Sequence, residues 1–196
     1  LGQRECLHGC PGTEGNAPRP GWLKGFGRTA RRKAGPGKRG VTSAVTGREA
    51  NIFARLGDGE EAYGAIGRMV RTMCMDNLVF ASSDWRGMGM GTGDVWATYS
   101  VEPNMGVTNA LQEMLVQSFE GCVSLLPARP QAVASGSASD LMTRAGVEVI
   151  SLEWNGRKGT ATAKLKSRKA REISVKLPAG ASYRPGKGGE KYEPER

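Results

Sequence analysis

The spacing of apolar residues changes period once along this chain, near Gly121, and that change limits the folds open to it. Upstream, apolar residues recur every three or four positions, the mark of a helix with one buried face. Ala62, Ile66, Met69, Val70 and Met73 predict a helix from about Glu60 to Met75. Arg48–Leu56 predicts a shorter one, stopped by Gly57-Asp58-Gly59, and Val107–Phe119 a third, with Val107, Ala110, Leu111, Met114, Leu115 and Ser118 on one face. Downstream the period is two, as a half-buried strand requires. Cys122–Leu126, Val147–Trp154, Thr160–Lys166 and Ile173–Leu177 read as strands, and Asn155-Gly156 as a two-residue hairpin turn. The expected class is α+β. A helical part at 48–120 precedes a small antiparallel β domain at 121–178, followed by a flexible tail at 179–196.

Residues 1–47 carry neither period. Pro18-Arg19-Pro20-Gly21 and the run from Arg31 to Gly40 break any regular element. Two readings fit: a disordered basic segment, or a GC-rich gene translated out of frame, which yields Gly, Arg, Pro and Ala in this manner. The segment also explains the charge. Of the net +9, residues 1–40 supply nine basic and two acidic side chains, and the rest of the chain is nearly balanced. Basic residues at 19–40, with Trp22 and Phe26 among them, allow an alternative reading as a nucleic-acid binder. No ordered recognition pattern accompanies them, so no nucleic-acid partner is expected.

Other chemical signals are weak. Cys6, Cys10, Cys74 and Cys122 do not form a disulfide framework. Cys6, His8 and Cys10 lack a fourth ligand at zinc-site spacing, so no metal is expected. Gly87-Met88-Gly89-Met90-Gly91 is not followed by a P-loop lysine. Ser135-Gly136-Ser137 reads as a turn and not a nucleophile elbow, because no histidine follows it. No cofactor is expected. No apolar run approaches the roughly 20 residues of a membrane span, so no membrane partner is expected either. No signal peptide is recognisable, which leaves the compartment open, a secreted or periplasmic parent being one reading.

A series of short motifs narrows the field. Ala54-Arg55-Leu56-Gly57-Asp58-Gly59-Glu60-Glu61-Ala62-Tyr63, Asn77-Leu78 and Tyr99-Ser100-Val101-Glu102-Pro103-Asn104-Met105-Gly106 follow one another. Then come Ala110–Ser118 (Ala-Leu-Gln-Glu-Met-Leu-Val-Gln-Ser), Gly121–Pro130 and Gly146–Trp154. In this order and spacing they resemble A-R-L-G-D-G-x-x-A-Y, N-L, F-Q-I-D-x-N-F-G, A-I-x-E-M-L-L-Q-S, G-x-I-x-L-L-P-A-L-P and G-x-x-V-x-L-E-W. Those are motifs of glycoside hydrolase family 95, the α-L-fucosidase family. The resemblance covers about 49–178. It stops at Val41–Arg48, where the family carries G-W-S-x-A-W-K.

The resemblance implies the last helices of an α/α toroid of six hairpins, followed by the C-terminal β domain. It implies an inverting glycosidase acting on terminal α-L-fucosyl or related L-sugar linkages, with an oligosaccharide or glycan as partner. Such enzymes use two carboxyl groups about 6.5–9.5 Å apart: an acid for the leaving oxygen and a base for the attacking water. In the family the acid is a Glu upstream of the matched region, so the isolated chain is expected to be inactive. The base is the Asp of D-x-N, whose place Glu102 takes here. Its extra methylene displaces the carboxylate by about a bond length, enough to matter for catalysis. Glu102 is therefore a candidate general base, the other reading being a surface or structural carboxylate. Asn104 is a candidate sugar ligand or the N-cap of the helix after it. Trp85, Trp96 and Tyr99 could face sugar rings or pack under the loop, and Arg86 could bind a hydroxyl or pair with Asp84 or Asp94. A last alternative is a non-catalytic β-domain fragment with a helical stub.

Overall fold

The computed structural model describes residues 43–88, 98–119, 121–169 and 173–178. The basic segment at 19–40, Trp96, the Cys6–Cys10 motif and the tail beyond 178 lie outside the described residues. The chain divides into two compact units. The described part of the helical unit holds α1 (Ser43–Arg55), α2 (Gly59–Thr72) and most of α3 (Val101–Leu115), together with residues 128–130. The β unit holds β1 (Val116–Phe119), β2 (Cys122–Leu125), β3 (Ser135–Met142), β4 (Val147–Asn155), β5 (Thr160–Ser167) and β6 (Ser174–Lys176). The α+β class is thus observed.

In the helical unit, Ala50, Phe53 and Ala54 of α1 meet Ala62, Ala65, Ile66 and Met69 of α2 and Val107, Ala110 and Met114 of α3. Small alanines let the axes approach, and the larger side chains fill what remains. Gly47 and Gly106 face each other at the α1–α3 contact, where a Cβ on Gly106 would stand 3.6 Å from the Gly47 Cα, an ordinary contact distance. Asn51 fastens the approach by donating to the Gly47 and Gly106 carbonyls, both at 2.8 Å.

The Gly57-Asp58-Gly59 motif is a helix stop joined to a helix start. Gly57, at φ 75°, donates to Ala54 O and Asp58 donates to Phe53 O, the two bonds of a Schellman terminus. Asp58 is then the N-cap of α2, its Oδ1 accepting from Glu61 N at 3.3 Å. Gly59 is needed because a Cβ there would lie 2.2 Å from Ala128 O.

Several element boundaries differ from the sequence expectation. The first helix begins at Ser43, not Arg48. Its buried face opens with Ser43 and Thr46, small polar residues that hide the stripe from a hydropathy reading. The third helix begins at Val101, not Val107, with Pro103 inside its first turn. Proline is tolerated there because first-turn N–H groups have no helical partner to lose. That helix ends at Leu115, and Val116–Phe119 is a strand paired with β2 through Phe119↔Cys122, with Gly121 at φ 79° in the connection. Finally, Ser135-Gly136-Ser137 is the start of β3, not a turn.

The β unit contains two three-stranded sheets, β1-β2-β6 and β3-β4-β5. β2 and β6 pair in parallel, so the domain is antiparallel apart from that ladder. In the second sheet the core face changes phase midway. On β4 it is Val147 and Val149, then Leu152 and Trp154, with a register shift between Val149 and Ser151. β3 changes phase beside it at Asp140, φ 57°, so that Leu141 lies opposite Val149 while Ala138 and Gly136 lie opposite Leu152 and Trp154. The paired irregularity keeps both apolar sets on one face. β4 and β5 are joined by four residues, 156–159, since Asn155 pairs with Thr160. Gly159 supplies φ 62°, and the expected two-residue turn at Asn155-Gly156 is not formed. Of the cysteines in the described residues, Cys74 is free and buried and Cys122 is disulfide-bonded.

Candidate active site

The residues that resemble the catalytic motif fall at the start of α3 and on the segment that follows α2. Ala81 bridges to Tyr99, so residues 80–82 run antiparallel to 98–100, the approach to α3, and Cys74 bridges to Phe80, which folds residues 74–80 back on themselves. Asn77 turns this segment by accepting from Val79 N at 3.1 Å, and Leu78 takes φ 65° beside it.

Glu102 lies in the first turn of α3 and is fully exposed. Ser100 Oγ donates to its Oε2 at 2.7 Å. That bond, helped by the Glu102 backbone N–H, holds the carboxyl below the ordinary carboxylate range, and the small opposing effect of burial does not reverse it. A negative charge in a first turn is also favoured by the unpaired N–H groups there. Glu102 is thus ionised at neutral pH, in water, with one oxygen tied to a neighbour.

Asn104 has two bonds, and neither is the expected cap of a helix starting at Val107. Its Nδ2 donates to Ser100 O at 2.6 Å and its Oδ1 accepts from Phe80 N at 3.3 Å. It pins the 74–81 segment to the first turn of α3 and so positions the backbone that carries Glu102. It is half-buried and bonded at both ends of its amide.

Trp85 and Arg86 come together elsewhere. The Arg86 guanidinium lies 4.5 Å from the Trp85 ring centroid. It donates to Cys74 O at 2.6 Å and Arg71 O at 3.2 Å, and its other nitrogen is 3.6 Å from Asp76. A cation on the last carbonyls of α2 complements that helix end. The ion partner of Arg86 is Asp76, a residue that the sequence did not single out. Trp85 is half-buried, whereas Tyr99 is 58% exposed.

Some of the polar architecture was not read from sequence. Ser100 escaped because Pro103 concealed the helix whose N-cap position it occupies. Asn51 and Asn109, which bond to each other through their side-chain amides, sit in helices expected for their apolar residues alone. Glu49 and Glu113 are buried carboxylates on α1 and α3. Arg68 stands 3.7 Å from Glu49 and Arg55 3.1 Å from Glu113, so each tethers two helices. Among the described residues no group of three metal-ligating side chains occurs, and no helix is long and apolar enough to cross a membrane.

Residues 117–195 match the sequence model of the glycoside hydrolase family 95 C-terminal domain. This range takes in nearly all of the described β unit, and over it the chain is similar to that family. No curated protein matches the chain.

Proposed function

We propose that this chain is the C-terminal part of an inverting glycoside hydrolase acting on α-L-fucosyl or closely related L-sugar linkages. In this reading α1–α3 are the last helices of an α/α toroid, and Glu102 is its general base. The observation that carries it is the state of Glu102: an ionised carboxylate, open to water, placed by Asn104 and Ser100 at the start of α3. It stands fifteen residues before a region that matches the family's C-terminal domain.

In the inverting reaction a water on the far face of the sugar gives a proton to the Glu102 carboxylate as its oxygen bonds to the anomeric carbon. The bond to the leaving oxygen breaks, and a carboxylic acid elsewhere in the toroid protonates that oxygen. Depressed basicity keeps Glu102 deprotonated, at some cost in proton-transfer drive. Tyr99, exposed and three residues away, offers a face for the sugar ring.

Incubation of the purified chain with 4-nitrophenyl α-L-fucopyranoside is expected to release no nitrophenol, because the second carboxyl lies outside the matched helices. Sustained release abolished by Glu102→Gln would show instead that the chain is catalytically complete. A second reading rests on the Ser100–Glu102 bond, which would equally suit a carboxylate that only stabilises a helix start. It predicts that Glu102→Gln lowers thermal stability and leaves sugar turnover by an extended, active polypeptide unchanged.

A further inference from the structure

Sheet edges present unpaired backbone groups, and proteins usually blunt them with short strands, lysines or cover. Among the described strands, β1 has four residues and β6 three. β5, the edge opposite β3, carries Lys164 and Lys166. β3 is the exception: eight residues long and at the edge of its sheet, it has no lysine, arginine or proline. Ser135, Gly136, Ser137 and Ser139 are exposed and Ala138 is half-buried. Its only described strand partner is β4. The positive φ of Asp140 marks a gap in the pairing with β4, leaving Ser135–Ser139 as an uncharged segment in unbroken register. The Trp154 indole stiffens it from the core side, lying where a Gly136 Cβ would be 2.6 Å from Trp154 Cζ2.

The segment Ser-Gly-Ser-Ala-Ser is close to a palindrome about Ser137. We propose that this edge is an interaction surface for a second copy of the chain, the two β3 strands pairing antiparallel about a two-fold axis through Ser137. Ser135 then faces the partner's Ser139, Gly136 faces Ala138, and Ser137 faces its own symmetry mate. Hydroxyls meet on the solvent face and small side chains on the core face, with no charges opposed. The interface is isologous and closes on itself. Association is weak and concentration-dependent, because only five residues a side take part.

Cysteine cross-linking tests the register. Directly opposed residues in an antiparallel ladder have Cα atoms about 4.5–5.5 Å apart, inside the roughly 4.4–6.8 Å span of a disulfide. Ser137→Cys should give a covalent dimer under mild oxidation, at least about tenfold faster than Ser135→Cys alone. In the Ser135→Cys dimer the two introduced thiols would stand four residues apart along the strands, about 13 Å. An equimolar mixture of Ser135→Cys and Ser139→Cys should cross-link as a heterodimer. All three variants exchange an exposed serine for a near-isostere, and circular dichroism together with the unsubstituted chain controls for folding and for native thiols. Equal cross-linking of Ser137→Cys and Ser135→Cys, or none with the fold intact, overturns the proposal. Ser137→Lys places like charges across the axis, and a dimer surviving it in sedimentation velocity overturns the proposal as well.

Discussion

Gly59→Ala sets helix propensity against packing. Gly59 is the first residue of α2, and alanine is the better helix former by about 0.8–1 kcal/mol, so propensity alone forecasts stabilisation. The structure forecasts the reverse. The new methyl would lie 2.2 Å from Ala128 O, 2.6 Å from Ala128 C and 2.9 Å from Arg129 C. All three are backbone atoms that no rotamer change can move. Relieving the overlap requires a shift of about 1 Å in residues 128–129 or in the first turn of α2, where the Asp58 cap is formed. Overpacking costs about 1–3 kcal/mol, and a disturbed cap about 1 more. Set against the propensity gain, the net expectation is a loss of about 2 kcal/mol, or a melting temperature lower by about 10 °C for a unit of about 100 residues. Gly47→Ala is the control, because its Cβ would meet its neighbours at 3.8–3.9 Å, an ordinary contact. It should be neutral or raise stability by up to about 1 kcal/mol. Thermal unfolding followed at 222 nm reads both. If Gly59→Ala melts at or above the parent temperature, the packing of residues 128–130 against α2 is wrong.

Three further outcomes follow from particular contacts. Ser100→Ala removes the main cause of the lowered Glu102 pKa, so the Glu102 carboxyl should titrate closer to its ordinary value by carbon-detected NMR. The sign is that of a depressed carboxylate: its contribution to stability is present above the unfolded-state pKa and lost as pH falls through the folded one, and Ser100→Ala should flatten that acid limb. Gly136→Ala would force the Trp154 ring off β3, with a Cβ 2.6 Å from Cζ2. A loss of about 1–3 kcal/mol and a changed near-ultraviolet tryptophan spectrum are expected, and an unchanged spectrum would contradict the packing. Arg86→Ala removes donors to Arg71 O and Cys74 O. Faster amide exchange over residues 72–80 should result, with a loss of about 1–2 kcal/mol that Arg86→Lys does not restore, since one ammonium does not reproduce the guanidinium fork.

Elements that announce themselves through apolar periodicity were legible in the sequence. Ala62, Ile66 and Met69 gave α2, and the alternation about Leu152 and Trp154 gave β4. What stayed hidden is built from small or polar residues. The start of α1 buries Ser43 and Thr46 in place of aliphatics, and β3 is an edge of serine, glycine and alanine with little burial to leave a pattern. Pro103 concealed the first turn of α3, because proline signals a break except in the few positions where a helix has no N–H to lose. The site shows the same division. The position of Glu102 could be read from its motif, but its electrostatic state depends on Ser100, and the role of Asn104 on Phe80, 24 residues away in sequence.

The proposed chemistry turns on Glu102 as the base of an inverting glycosidase. Its decisive test is the turnover of an α-L-fucoside by a polypeptide that joins this chain to the preceding helices of the toroid, with the released anomer followed by proton NMR. β-L-Fucose is expected to appear first, and Glu102→Gln to lower kcat by at least about a hundredfold, the lower range for loss of general-base assistance. Release of α-L-fucose first, or near-normal turnover by Glu102→Gln, would contradict the assignment.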